Sequence, residues 1–308
     1  MVNGSIRRSW LIVPSDDAAL VEQAAASAAD VIVLDLMEFV PEGLKPAARD
    51  SLPEAIRHAS QGRSEVFAQV DKELLYADLS AAVWPGLRGI LLPRLESPQE
   101  VAEADALLTQ FEEKRGFRPG TLQIVAVLDT AKGNYAALDI ARASRRLWGL
   151  TLGRADLVMD LRPEPSGELH LMPYLMQRLI IVSNAANVVP LGAWWRAPAR
   201  SLLANPDDTF DAAVRGRRIG FKGALCLRAN QVEPLNRGFT PTRSEGEEAR
   251  ELLADYEAGT RNGSAVMHLQ DRIIDLATAT QAGQLLAHAD ACAQQETGKS
   301  QAKQRSAL

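Results

Sequence analysis

Eight short, nearly continuous apolar runs recur along this chain, at residues 10–14, 31–36, 66–70, 89–93, 124–128, 147–152, 188–192 and 224–227. They are rich in Val, Ile, Leu and Ala and do not alternate with polar residues. That is the pattern of strands buried on both faces of a parallel sheet. Between them the spacing of apolar residues predicts helices over 17–28, 46–58, 97–111, 130–143, 172–186 and 207–219. Ser97-Pro98 with Glu100 has the spacing of a capping box with proline in the first turn. Strand followed by helix, eight times over, predicts an α/β fold of the (β/α)8 TIM-barrel type. An open doubly wound sheet is the rival. It lacks support at the first turn, where Pro14-Ser15-Asp16-Asp17 replaces the Gly-x-Gly-x-x-Gly that would cradle a pyrophosphate.

A chain of 308 residues with 46% hydrophobic content can fill one such barrel. The pattern changes after Asn236, so the expected division is a catalytic barrel over 1–236, a helical appendage or lid over 237–292, and a polar tail over 293–308 without fixed structure. Within the appendage, helices are predicted at 244–256 and 278–291. A formal net charge of -5 with interspersed signs argues against a nucleic-acid partner. No apolar run reaches membrane-span length, so no membrane partner is expected and the cytoplasm is the default location. Cys226 and Cys292 form neither a disulfide framework nor a metal spacing, and Cys226 reads as a small core residue.

In a barrel the chemistry lies at the carboxyl ends of the strands. Those positions hold Asp35 with Glu38 beyond it, Gln69 and Asp71, Arg94 and Glu96, Asp129, Asp156 and Arg228. Asp129 and Asp156 end neighbouring strands, which suits one hard divalent cation, since Mg²⁺ takes one or two carboxylates and completes its shell with water and substrate oxygens. Arg94 and Arg228 suit a substrate carboxylate. The bland reading is a polar rim whose acids and arginines pair with each other. Asp35 fits a supporting role as well as ligation. No histidine stands at a strand end, so a histidine base is not expected.

In order along the chain, Arg8-Ser9-Trp10-Leu11-Ile12-Val13-Pro14, Val33-Leu34-Asp35-Leu36, Lys45-Pro46-Ala47-Ala48-Arg49, Gly89 to Ser97, Leu128-Asp129-Thr130-Ala131-Lys132-Gly133, Gly153-Arg154-Ala155-Asp156-Leu157, Gln231-Val232 and Phe239-Thr240-Pro241 resemble the citrate lyase β-subunit-like branch of the HpcH/HpaI aldolase superfamily. The resemblance implies a barrel assembling as homotrimers or hexamers. It implies a Mg²⁺-dependent (or Mn²⁺-dependent) carbon–carbon lyase acting on malyl-, citramalyl- or citryl-type coenzyme A thioesters through a metal-stabilised enolate. Asp129 and Asp156 would hold the metal, and Arg94, Arg228 and Gln69 would meet the substrate. Asp35 and Glu38 would belong to the catalytic set, together with Asp275 contributed by a neighbouring subunit.

The sequence also departs from that pattern. Asp129 stands where the family has Glu, Met37 where it has an acid, Gln69-Val70-Asp71 where it has Arg-Ile-Asn, Arg94 where it has Lys, and Arg228-Ala229 where it has His-Pro. The alternative is therefore a diverged, non-catalytic member that binds a small carboxylate or a partner protein.

Overall fold

Every one of the eight apolar runs forms a strand in the structure, a computed structural model that describes residues 6–153, 157, 160–161, 171–194, 205–261, 266–269 and 272–306. The strands are β1 Ser9–Pro14, β2 Val31–Asp35, β3 Glu65–Gln69, β4 Leu87–Leu92, β5 Gln123–Leu128, β6 Leu147–Leu152, β7 Val189–Leu191 and β8 Ala224–Cys226. They pair in parallel in the order β7-β6-β5-β4-β3-β2-β1-β8. Two backbone bonds join the ends of that order: Lys222 N–H to the Pro190 carbonyl at 3.0 Å and Gly192 N–H to the Gly223 carbonyl at 2.7 Å. The sheet thus closes on itself, which excludes the open doubly wound alternative.

Closure divides the apolar side chains into two sets. Trp10, Ile12, Val31, Val33, Phe67, Leu91, Val125, Val127, Trp148 and Leu191 fill the barrel interior. Their neighbours in the strands, such as Leu11, Ile32, Leu34, Ala68, Ile90 and Ala126, pack outward under the helices. The strands are buried on both faces, so the sequence shows runs and not alternation.

The helices of the barrel are α1 Ala18–Ala26, α2 Lys45–Ala59, α3 Leu75–Ala82, α4 Pro98–Lys114, α5 Ala131–Tyr135, α6 Ala137–Arg142, α7 Leu171–Ala186, α8 Pro206–Ile219 and α9 Val232–Phe239. The single helix expected over 130–143 is two, α5 and α6, divided at Ala136. The break turns the carbonyls of Asn134 and Tyr135 outward, where the Arg178 guanidinium bonds to both. Helix α3 is too short, and α9 too close to the expected boundary, to stand out by periodicity. Pro234 lies in the first turn of α9, where a missing N–H costs nothing.

The chain forms two compact units, Met1–Phe239 and Thr240–Leu308. The first ends three residues beyond the expected boundary because α9 belongs to the barrel. In the second, α10 spans Arg243–Arg261, β9 Met267–Leu269 pairs antiparallel with β10 Arg272–Ile274, and α11 spans Leu276–Ser306. The expectation of a tail without structure from 293 is corrected here, since α11 continues to Ser306. The segment is polar, but Ala, Gln, Glu, Lys and Arg are strong helix formers and make up most of it, with Gly298 its weakest position. Among the described residues no helix is long and apolar enough to cross a membrane.

Candidate active site

The inward rows of the barrel end in polar residues. Asp35 lies two positions after Val33, Gln69 two after Phe67 and Asp129 two after Val127, so strand alternation turns all three toward the barrel axis at its carboxyl end. Asp35 and Gln69 are direct partners across β2 and β3. All three are buried.

Asp129 is the most constrained of them. Both its carboxylate oxygens accept from the Arg94 backbone N–H, at 2.9 and 3.1 Å. To aim that N–H, Arg94 adopts φ +56°, a left-handed conformation that costs a non-glycine residue about 1 kcal/mol or more. Gly153, at the end of β6, lies flush against the acid, and a Cβ there would come within 2.5 Å of the Asp129 Cβ. Strain at Arg94 and a missing side chain at Gly153 both serve to place one buried carboxylate. Its expected companion, Asp156, lies outside the described residues, as does Arg154.

The Arg94 guanidinium, partly open to solvent, donates to Asp71 at 2.8 Å, and its Nη2 lies 3.9 Å from the Met37 sulfur. Asp71 is held in turn. Its backbone N–H donates to Asp78, which also accepts from Arg49 at 2.6 Å, and Lys45 stands 3.6 Å from its Oδ2. Lys45 also pairs with Glu42 at 2.7 Å. Arg228 is placed elsewhere. It is exposed and borders a mostly apolar cleft of about 430 Å³ with Pro14, Leu20, Gln23, Phe39 and Leu227. Glu38 is exposed on the turn after β2. Asp275, in the second unit, accepts the Thr278 N–H at 2.8 Å and the Thr278 hydroxyl at 2.7 Å at the start of α11, and these bonds hold its carboxyl below the ordinary value. Burial pushes the Cys226 thiol up to about 12, consistent with a core residue and no nucleophilic role.

Asp35 is buried with Oδ1 unpartnered, while Oδ2 accepts the Phe39 N–H at 2.7 Å. Desolvation raises its pKa, and the backbone N–H groups of Phe39, Met37 and Glu38 and the charge of Lys45 only partly oppose the shift. A carboxyl whose folded value is raised costs stability once the pH climbs above its ordinary range. Asp35→Asn should therefore raise the melting temperature at pH 8, change it little at pH 4, and lower turnover. Melting curves at the two pH values check the sign, and a variant less stable at pH 8 would show that the ionised acid is well compensated.

The HpcH/HpaI aldolase/citrate lyase profile matches residues 8–229 of the 308. The chain belongs to the HpcH/HpaI aldolase/citrate lyase family. Membership makes it a carbon–carbon lyase by class. It is 28% identical over 273 residues to the citrate lyase subunit beta of Haemophilus influenzae, covering 88% of this chain and 92% of that one. It is 28% identical over 307 residues to the L-malyl-CoA/beta-methylmalyl-CoA lyase of Cereibacter sphaeroides, covering 92% and 94%. Among solved structures it superposes with a TM-score of 0.71 on the CitE protein of Mycobacterium tuberculosis in complex with magnesium, acetoacetate and coenzyme A. That likeness holds at 22% identity and covers 92% of this chain and 98% of that one.

Met37, Asp71 and Arg94, three of the positions that differ from the family pattern, meet around a single guanidinium. The Asp71 carboxylate is paired there with the Arg94 guanidinium. Sequence reading found each residue but not their contact. It missed Gly153 as a positioning residue, Asp78 as the anchor beneath Asp71, and the left-handed backbone at Arg94. The neighbouring Gly153 and Asp129 of the aligned β5 and β6 ends were the available signal for the first.

Proposed function

We propose that this chain is a Mg²⁺-dependent lyase that cleaves or forms a small β-hydroxy-acid thioester of the malyl, citramalyl or citryl type. The observation that carries the reading is Asp129: a buried carboxylate at the barrel mouth, fixed by a strained backbone donor on one side and by a glycine on the other. A buried carboxylate needs a counter-charge. Hard oxygen is the donor that Mg²⁺ prefers, so the residue fits that ion, with Asp156 as the second ligand. When bound, Mg²⁺ or Mn²⁺ supplies Lewis-acid polarisation of the keto-acid oxygens.

The chain's own residues account for the rest. Arg94, braced by Asp71, presents its guanidinium to a substrate carboxylate. Gln69 offers an amide from the same inward ring. Asp35 Oδ1, unpartnered and in a site that favours the protonated form, takes the substrate hydroxyl proton and returns it in the reverse direction. The apolar cleft ending at Arg228 opens at the same end of the barrel and suits a thioester arm with an anionic terminus. Glu38, exposed at the rim, and Asp275, contributed by a neighbouring copy in a homotrimer or hexamer, complete the proposed set. The relatives that support this reading are named for citrate and malyl-CoA cleavage.

Calorimetric titration with Mg²⁺ tests it, on the wild type, Asp129→Asn and Asp156→Asn, with and without oxaloacetate. Saturable binding that is tightened by the keto acid and weakened at least about a hundredfold in either variant is expected, followed by cleavage of one member of a thioester panel. Absence of Mg²⁺ binding under every condition would overturn the reading in favour of a non-catalytic carboxylate- or partner-binding protein.

A further inference from the structure

The opposite end of the barrel holds a second cavity, which the reaction does not use. It occupies about 360 Å³ at the amino ends of β4 to β7 and is lined by Arg88, Gln123, Arg145, Arg146, Trp148 and Asn187, with the turn before β5. A six-residue strand rises about 3.3 Å per residue, so this floor is roughly 15–20 Å from Asp129. Ligand pockets of small molecules begin near this volume.

Three features distinguish it from a packing gap. First, two of its lining side chains carry unsatisfied polar atoms: the Trp148 Nε1–H and the Gln123 Oε1 have no protein partner, and Trp148 is only 9% exposed. An unmet buried donor or acceptor costs about 1–3 kcal/mol, so each calls for an occupant. Second, the rim is cationic. Arg145 is exposed and, among the described residues, has no ion pair, while Arg88 reaches Glu65 only at 3.5 Å. Third, the wall is rigid. The Trp148 ring lies 5.5 Å from Trp10 at a 40° tilt and 4.2 Å beneath the Arg7 guanidinium, whose Nη1 is also buried and unpartnered. The nearby acids are already engaged: Glu65 with Arg7 and Arg88, Asp105 and Glu112 with Arg146. With four arginines against three carboxylates, the region keeps a positive balance.

We propose that this floor cavity binds a small hydroxylated oxyanion, a hydroxycarboxylate or a phosphate monoester. Arg145, Arg88 and the Trp148 Nε1–H grip the anionic oxygens, and the Gln123 Oε1 accepts the ligand's hydroxyl. A resident water would satisfy the indole N–H and the amide oxygen, but it would leave Arg145 facing the same space without an anion.

Calorimetry on the full chain with four probes tests this: L-malate, L-lactate, glycerol 3-phosphate and inorganic phosphate, each titrated with tryptophan fluorescence followed in parallel. One-to-one binding by at least one probe is expected, with a change in tryptophan emission. Hydrogen bonds from a charged donor contribute about 1.5–3 kcal/mol, so Arg145→Ala should weaken it about ten- to a hundredfold. Trp148→Phe, which keeps an aromatic side chain but loses the N–H, should weaken it about tenfold. Gln123→Leu should weaken only the hydroxylated probes. Preference between the carboxylate and phosphate arms identifies the source of the anion. No saturable binding of any probe at millimolar concentration, or binding lost in Arg94→Ala and untouched in Arg145→Ala, would overturn the proposal.

Discussion

Replacing Arg146 with methionine is expected to destabilise the barrel by about 3–5 kcal/mol, the usual cost of removing one partner from a buried ion pair. For a unit of this size that corresponds to a fall of about 6–20 °C in melting temperature. Arg146 is buried just before β6 and spends its whole guanidinium on one stripe of α4. It bonds Asp105 at 2.5 Å, Thr109 at 2.7 Å and Glu112 at 2.7 and 2.9 Å, with the Leu122 carbonyl at 3.2 Å. Those helix residues are spaced i, i+4 and i+7 and so share a face. Glu112 is fully buried and also accepts the N–H groups of Gly120 and Leu122. Its desolvation opposes ionisation, but the bonds from Arg146, Leu122 and Gly120 outweigh it, and the net pKa lies below the ordinary 4.5.

The sign with pH follows. A carboxylate with a depressed folded pKa contributes stability that is complete above 4.5 and is lost as the pH falls through its lower folded value. In Arg146→Met the buried Glu112 loses its cation, and burial then favours its protonated form. The gap between wild type and variant should therefore be widest near neutrality and narrow below pH 4.5. Urea unfolding at pH 7 and pH 4 checks this, and Arg146→Met combined with Glu112→Leu should recover much of the loss. A gap independent of pH would mean that lost packing, not the stranded acid, sets the cost.

Gly153→Ala is expected to cripple the active site while leaving the barrel folded. The new methyl carbon would stand 2.5 Å from the Asp129 Cβ and 3.1 Å from a Val127 methyl, both closer than any ordinary contact. Overpacking of this kind costs about 1–3 kcal/mol, and because the closest contact is the Asp129 Cβ, relief requires the end of β5 to shift and carry the carboxylate with it. Its displacement would break the bonds from Arg94 N–H and spoil ligand geometry that Mg²⁺ tolerates poorly. Mg²⁺ affinity and turnover should fall about ten- to a hundredfold or more, against a melting-temperature loss of about 2–12 °C that leaves the barrel folded. If Mg²⁺ affinity survives with the melting temperature lowered, the strand has absorbed the clash and Gly153 serves packing alone.

The sequence by itself determined the architecture and which residues stand at the carboxyl ends of the strands. Eight doubly buried strands can be recognised because burial on both faces leaves an unbroken apolar run, and the carboxyl ends of those runs give Asp35, Gln69, Arg94 and Asp129 directly. The capping box at Ser97 and Glu100 was equally legible, because it is a local pattern; in the structure Glu100 reaches back to the Ser97 N–H at 3.0 Å. Properties that depend on distant residues were not legible. The carbonyls freed at the break between α5 and α6 meet a guanidinium on α7, and the persistence of α11 past residue 293 follows from helix propensity that overrode a polar composition.

The site divides along the same line. Residue identity fixed Asp129 as a hard-oxygen donor and Arg94 as a cation. Only the tertiary structure decided that the Arg94 backbone, not its charge, holds Asp129, while its guanidinium turns to Asp71 and Met37. Only it brought Arg146 onto a stripe of α4, and left Trp148 and Gln123 with unmet polar atoms on the barrel floor. Periodicity reports which face of an element is buried, because that depends on neighbours along the chain. Contacts between elements depend on how the closed barrel sets one strand end beside another, and no local pattern encodes that.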